Sequence, residues 1–194
     1  MRRGEVHRQT GETDIRVEVM IDGNGGYELQ TGIPFFEHML ALLAKFSSFD
    51  LKIKARGDLQ VDAHHTVEDV GICLGEALAK ALGNKAGVRR FGHAVVPMDE
   101  SLVMVALDLS GRGYLAFEVG IPASKVGDFD TELVEEFLRA LAHNGRFNLH
   151  VRRLAGGNSH HIIEAVFKGL GLALGDAVAI DAGRGIPSTK GVIN

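Results

Sequence analysis

Phe49-Asp50-Leu51-Lys52-Ile53 and Phe147-Asn148-Leu149-His150-Val151 read as one strand written twice, 98 residues apart. Apolar side chains at alternate positions mark each as half-buried β-structure. Working outward, Glu12-Thr13 is echoed by Glu100-Ser101, and Gly23-Asn24-Gly25 by Gly111-Arg112-Gly113, both at an offset of 88. Tyr27 finds Tyr114, and Gly32-Ile33-Pro34 finds Gly120-Ile121-Pro122. An insertion near 123–130 lengthens the offset to 98, so Glu37-His38 faces Glu135-Glu136. A two-residue deletion then leaves 96, which lays His64-His65-x-x-Glu68 over His160-His161-x-x-Glu164. An ordered series of this kind signals internal duplication.

Each half predicts the same elements. Ile15, Val17, Val19 and Ile21 alternate as a strand, and Asp22-Gly23-Asn24-Gly25-Gly26 reads as a hairpin turn leading to a second strand over 27–31. Pro34 suits the first turn of a helix carrying Phe35, Phe36, Met39, Leu40, Leu43 and Phe46 at helical spacing. Leu51, Ile53 and Ala55 form the next strand, and a helix follows over 66–82. In the second half the strands fall at 101–109, 114–119 and 149–154, and the helices at 131–142 and 160–178. The expected fold is α+β: an internal duplication of two β-β-α-β-α units, each a small sheet with helices packed on one face. The organisation is a single domain, 1–194, of two pseudo-repeats (about 1–87 and 88–182) with a flexible, glycine-rich tail at 183–194.

Composition narrows the function classes. The net charge of −4 argues against a nucleic-acid binder, which carries a basic face. No apolar run reaches the roughly 18 residues of a membrane span, and the start of the chain lacks a secretory pattern. One cysteine, Cys73, excludes an internal disulfide framework and fits a reducing compartment, so a cytoplasmic location is expected.

Four of the nine histidines lie in the two repeated pairs. On a helix, His64 and Glu68 are four apart and His65 and Glu68 three apart, so either histidine can share a face with the glutamate. Adjacent histidines diverge by about 100°, which favours two metal ions, each drawing ligands from both halves. Imidazole with carboxylate suits manganese, iron or zinc; a thiolate zinc site lacks its cysteines.

These motifs resemble the two signatures of imidazoleglycerol-phosphate dehydratases, in Asp62-Ala63-His64-His65-Thr66-Val67-Glu68-Asp69 and Gly157-Asn158-Ser159-His160-His161-Ile162-Ile163-Glu164-Ala165. The likeness continues through Arg8-x-Thr10-x-Glu12-Thr13, Phe36-Glu37-His38-Met39-Leu40, Arg90-Phe91-Gly92 and Pro97-Met98-Asp99-Glu100. It extends to Asp108-x-Ser110-Gly111-Arg112 and Ser188-Thr189-Lys190-Gly191. The resemblance implies a lyase of histidine biosynthesis that dehydrates D-erythro-imidazole glycerol phosphate to imidazole acetol phosphate. It implies two Mn2+ per active site, other divalent ions being possible, acting through a metal-bound imidazolate and a diazafulvene-like intermediate. It also implies a homo-oligomer of about 24 subunits with active sites at subunit interfaces.

By the same resemblance, the metal ligands are His38, His64, His65, Glu68, His160, His161 and Glu164. The position duplicating His38 is histidine in many relatives but Glu136 here; a carboxylate can also ligate manganese, and His143 two turns further on is a rival. Glu12 is the expected general acid-base, with Glu100 as its duplicate. Arg90, Arg112, Lys168, Ser188 and Lys190 are expected to bind the substrate phosphate, the tail closing over it. Two other readings fit parts of the pattern. A binuclear hydrolase needs a bridging carboxylate that the diverging histidine pairs do not provide, and a non-catalytic metal-binding assembly protein leaves Glu12 and the cations unused.

Overall fold

The computed structural model describes every residue except Ala182, Arg184 and Asn194; of the expected tail, Arg184 and Asn194 therefore lie outside the described residues. The first half contains β1 (Arg3–Gln9), β2 (Thr13–Met20), β3 (Tyr27–Gln30), α1 (Pro34–Ser47), β4 (Asp50–Gly57) and α2 (His64–Leu82). The second repeats it with β5 (Phe91–Met98), β6 (Ser101–Asp108), β7 (Tyr114–Glu118), α3 (Leu133–Gly145), β10 (Asn148–Ala155) and α4 (Ser159–Val178). A short hairpin, β8 (Lys125–Val126) and β9 (Phe129–Asp130), fills the insertion.

The sheets are ordered β1-β2-β4-β3 and β5-β6-β10-β7, the same topology twice. Each unit thus carries a leading strand, β1 or β5, ahead of the expected plan. The expected hairpin is also corrected. β3 does not return along β2; it lies beyond β4 and pairs with it in parallel, as β7 does with β10. The glycine-rich loop at 22–26 carries the chain across the end of the sheet, where Asp50 Oδ1 accepts the Asn24 and Gly26 amides at 2.9 and 2.8 Å.

Strand alternation puts Ile15, Val17 and Val19 against the helices and Arg16 and Glu18 outward. The four helices form one layer between the two sheets: α2 lies on β1 and β2, and α4 on β5 and β6. Close approach on each sheet depends on a missing side chain. A Cβ on Gly4 would stand 1.9 Å from the Ala77 carbonyl oxygen, and one on Gly92 1.9 Å from that of Ala173. Within the helix layer the halves interlock, because α2 packs on α3 and α4 on α1. Phe36, Phe137 and Phe167 fill the centre, with Phe36 edge-on to Phe137 at 5.2 Å. The interlock brings the first turns of α1 and α4 together and so creates a site neither half contains.

Candidate metal and substrate site

Both histidine pairs open their helices because a side chain holds the first free amides. Asn158 Oδ1 accepts from the His160 and His161 amides at 2.9 and 3.3 Å, and Asp62 Oδ1 from His64 at 2.7 Å. The paired rings stand nearly perpendicular, with planes at 89° and centroids 6.0 Å apart for His64 and His65, and at 85° and 6.3 Å for His160 and His161.

Among the described residues, His38, His160 and Glu164 form the one cluster whose ligand atoms all lie within 4.8 Å of one another. Glu164 Oε1 stands 2.8 Å from His38 Nε2 and 3.3 Å from His160 Nε2. His38 comes from α1 and the other two from α4, so the interlock supplies the convergence. Burial would push the Glu164 carboxyl up; hydrogen bonds from Lys168, His38 and His160 outweigh it and hold it at about 2. The donor set, two imidazoles and an ionised carboxylate, fits a divalent ion such as manganese.

His65 and His161 are placed differently. His65 Nδ1 lies 3.0 Å from Asp58 Oδ2, and His161 Nδ1 2.8 Å from Glu100 Oε2. Each carboxylate raises the pKa of its imidazole and fixes the ring, which directs Nε2 away from the carboxylate, as in metal sites where a carboxylate orients the ligating histidine. Asp58 Oδ1 is buried without a partner. Glu12 is 59 % exposed and reaches only to 3.7 Å from His65 Nδ1. Glu100 is held: besides His161 it accepts from the Asn158 amide and the Ser101 hydroxyl, both at 2.9 Å. Its pKa lies far below the carboxylate range, chiefly through His161.

The second expected ligand group does not gather within one chain. His64, Glu68 and Glu136 are half-buried at the openings of α2 and α3, but their ligand atoms do not converge. His143 sits at the far end of α3, its Cα 2.5 Å from where a Gly113 side chain would begin, and so stands beside the Ser110–Arg112 loop instead.

Arg90, Arg112, Ser188 and Lys190 do come together, with Arg89, Phe91 and Ser110, around a cavity of about 770 Å³. Arg90 is held by Asp108 at 2.7 and 3.1 Å and by the Pro187 carbonyl at 2.8 Å, which docks the tail over the cavity. Asp108 also raises the Arg90 pKa. Lys168 is not in this cavity; its Nζ lies 2.7 Å from Glu164 Oε2 and 3.3 Å from Met98 Sδ. The cavity adjoins the end of α4, where the Arg90 amide bonds the Ala177 carbonyl. Ala177 lies seventeen helical steps beyond His160, about 25 Å.

Asp58, Asp69 and Asn158 were not singled out by sequence reasoning. Asn158 had a detectable signal, an N-cap residue before a helical pattern, whereas the carboxylates acquire meaning only through contacts made across the fold.

The family model for imidazoleglycerol-phosphate dehydratase matches residues 31–174. A curated relative of that description from Desulforudis audaxviator is 74% identical over the whole chain and 99% of its own length. One from Pelotomaculum thermopropionicum is 59% identical over 97% of each. Among solved structures, an imidazoleglycerol-phosphate dehydratase from Pyrococcus furiosus is 41% identical. It covers 96% of this chain and 99% of its own, with a TM-score of 0.84. The Staphylococcus aureus structure superposes equally well at 39% identity, covering 92% of this chain and 99% of its own.

Proposed function

The chain belongs to the imidazoleglycerol-phosphate dehydratase family, and from that premise we propose how its own residues divide the work. The protein is a hydro-lyase that dehydrates imidazoleglycerol phosphate to imidazole acetol phosphate in histidine biosynthesis. His38, His160 and Glu164 would hold one divalent manganese ion, and their convergence is the observation that carries this reading. His65 and His161, with His64, Glu68 and Glu136, would complete the sites of two ions once a neighbouring copy is in place. Bound there, the metal would supply Lewis acidity to the imidazole ring and orient it.

The chain's other residues grip the substrate and move its protons. Arg112, Ser188 and Lys190 would bind the phosphate, with Arg90 held ready by Asp108. Glu12 would take the proton from C2 and supply one to the hydroxyl leaving C3. One carboxylate can serve both in turn, and Glu12 is free to swing. The arrangement also argues for shared sites. A glycerol chain is far shorter than the roughly 25 Å between cation cavity and metal cluster, so the cavity of one copy would serve the cluster of another. A closed homo-oligomer of about 24 subunits is the form we propose. Among the described residues no helix is long and apolar enough to cross a membrane, and we place the enzyme in the cytoplasm.

The test is turnover of imidazoleglycerol phosphate by chelator-stripped protein before and after manganese is restored. Activity that returns with manganese is expected. Full activity in stripped protein would remove the metal from the reading.

A further inference from the structure

The duplication gives each residue of the Glu12 turn a counterpart against which to read it. In the first half, Thr10 Oγ1 accepts from the Glu12 and Thr13 amides at 3.1 and 3.0 Å and shapes the turn. Thr13 Oγ1 donates to Asp69 Oδ2 at 2.5 Å, and Arg8 Nε donates to Asp69 Oδ1 at 2.9 Å. An ionised carboxylate only accepts, so the single Thr13 hydroxyl proton is committed to Asp69. The 3.2 Å contact between the two hydroxyls must then carry the proton of Thr10. The chain runs Thr10 to Thr13 to Asp69, and no hydroxyl is left to donate to Glu12. Among the described residues the Glu12 carboxylate accepts no hydrogen bond.

In the second half the same positions hold Val96 for Arg8, Met98 for Thr10, Ser101 for Thr13 and Ala165 for Asp69. With no buried carboxylate to face, the Ser101 hydroxyl turns to Glu100 Oε1 at 2.9 Å. The Asn158 amide and His161 Nδ1 close the grip at 2.9 and 2.8 Å. Glu100 is thereby fixed as a brace for His161 and for the start of α4.

We propose that Asp69 is a positioning residue for the dehydration: by capturing Thr13 it keeps Glu12 unbonded and able to reach substrate. Ala165 at the matching position leaves Glu100 immobile and outside the proton transfer. The inference rests on Glu12 being the proton carrier. Asp69 is 7% and Thr13 4% exposed, so neither meets substrate; both act through the turn.

The experiment uses the full-length, manganese-loaded enzyme. Asp69→Asn keeps the volume but no longer commits the Thr13 hydroxyl, and Thr13→Val removes that hydroxyl at nearly constant volume. Asp69→Asn should lose about tenfold in kcat with KM and bound manganese unchanged, and adding Thr13→Val, which leaves no hydroxyl to hold Glu12, should restore kcat. Thr13→Ser in place of Thr13→Val keeps a hydroxyl and should leave the Asp69→Asn loss unrelieved, which separates capture of Glu12 from a general effect of altering position 13. In a Glu12→Gln background, Asp69→Asn should cost nothing further, since residues acting as a unit are not additive. Wild-type kcat in Asp69→Asn would overturn the inference, as would a loss confined to KM or one that Thr13→Val fails to relieve. Full turnover by Glu12→Gln would overturn the reading of Glu12 itself, and this inference with it.

Discussion

Glu164 has a side chain only 10% exposed, yet it is kept charged. Desolvation favours its neutral form, and Lys168, His38 and His160 together favour the anion more strongly. The folded pKa, about 2, lies below the ordinary 4.5. A depressed carboxylate stabilises the fold fully above its unfolded pKa and loses that contribution as pH falls through the folded one. Urea titrations of metal-free wild type and Glu164→Gln should therefore differ by a constant amount above pH 4.5 and converge toward pH 2, the plateau being on the order of 3 kcal/mol. A gap that stays constant down to pH 2 would assign the difference to packing. Glu136 bears on the second metal position proposed above, because the matching residue, His38, sits in the assembled cluster. Glu136→Ala should lower manganese per chain in the assembled protein; unchanged stoichiometry would make it a bystander. Sequence spacing correctly put Lys168 on the face of Glu164, because four residues is one helical turn. It could not reveal that the ammonium is occupied there, 2.7 Å from the carboxylate, and lies outside the cavity that Arg90 and Arg112 line.

At the level of elements, periodicity exposed what is local and hid what is relational. The helices and the strands β2, β4, β6 and β10 follow from alternating or helical apolar positions. β1 escaped because its inward residues, Gly4 and Val6, include one with no side chain, so no apolar alternation is visible. The sequence marks β3 as a strand but not its neighbour, β4 instead of β2, since alternation reports which face is buried and not which strand lies alongside. The helix interlock was equally silent. It depends on Gly75, whose absent Cβ would stand 2.7 Å from the Leu141 carbonyl oxygen and 2.6 Å from the Gly145 amide nitrogen. Gly171 plays the matching part against Leu43 and Ser47 at 3.0 and 3.1 Å. Gly75→Ala should destabilise the protein by about 1–3 kcal/mol through overpacking against backbone. Gly171→Ala, with slightly more room, should cost less. Melting temperatures of the two variants would check the order, and equal values would refute it.

At the scale of the whole molecule, the separation of the cation cavity from the histidine cluster makes a prediction about mixtures. Glu12→Gln and Arg112→Ala should each be inactive as pure assemblies. Unfolded together and reassembled, they should recover about a quarter of wild-type turnover, because random pairing leaves that share of composite sites intact. No recovery in mixed assemblies would return both functions to one chain. The interlocked helices carry a different consequence. Since α2 lies on the helix of the other half and α4 likewise, neither half could bury its own apolar face if severed. In packing terms the chain is a covalently joined pair of twins, each acting as the other's subunit. Two identical chains must change every paired position together. Joined in tandem, they are released from that obligation, and the departures from symmetry at Asp69 and Ala165, or at His38 and Glu136, are what such a release permits.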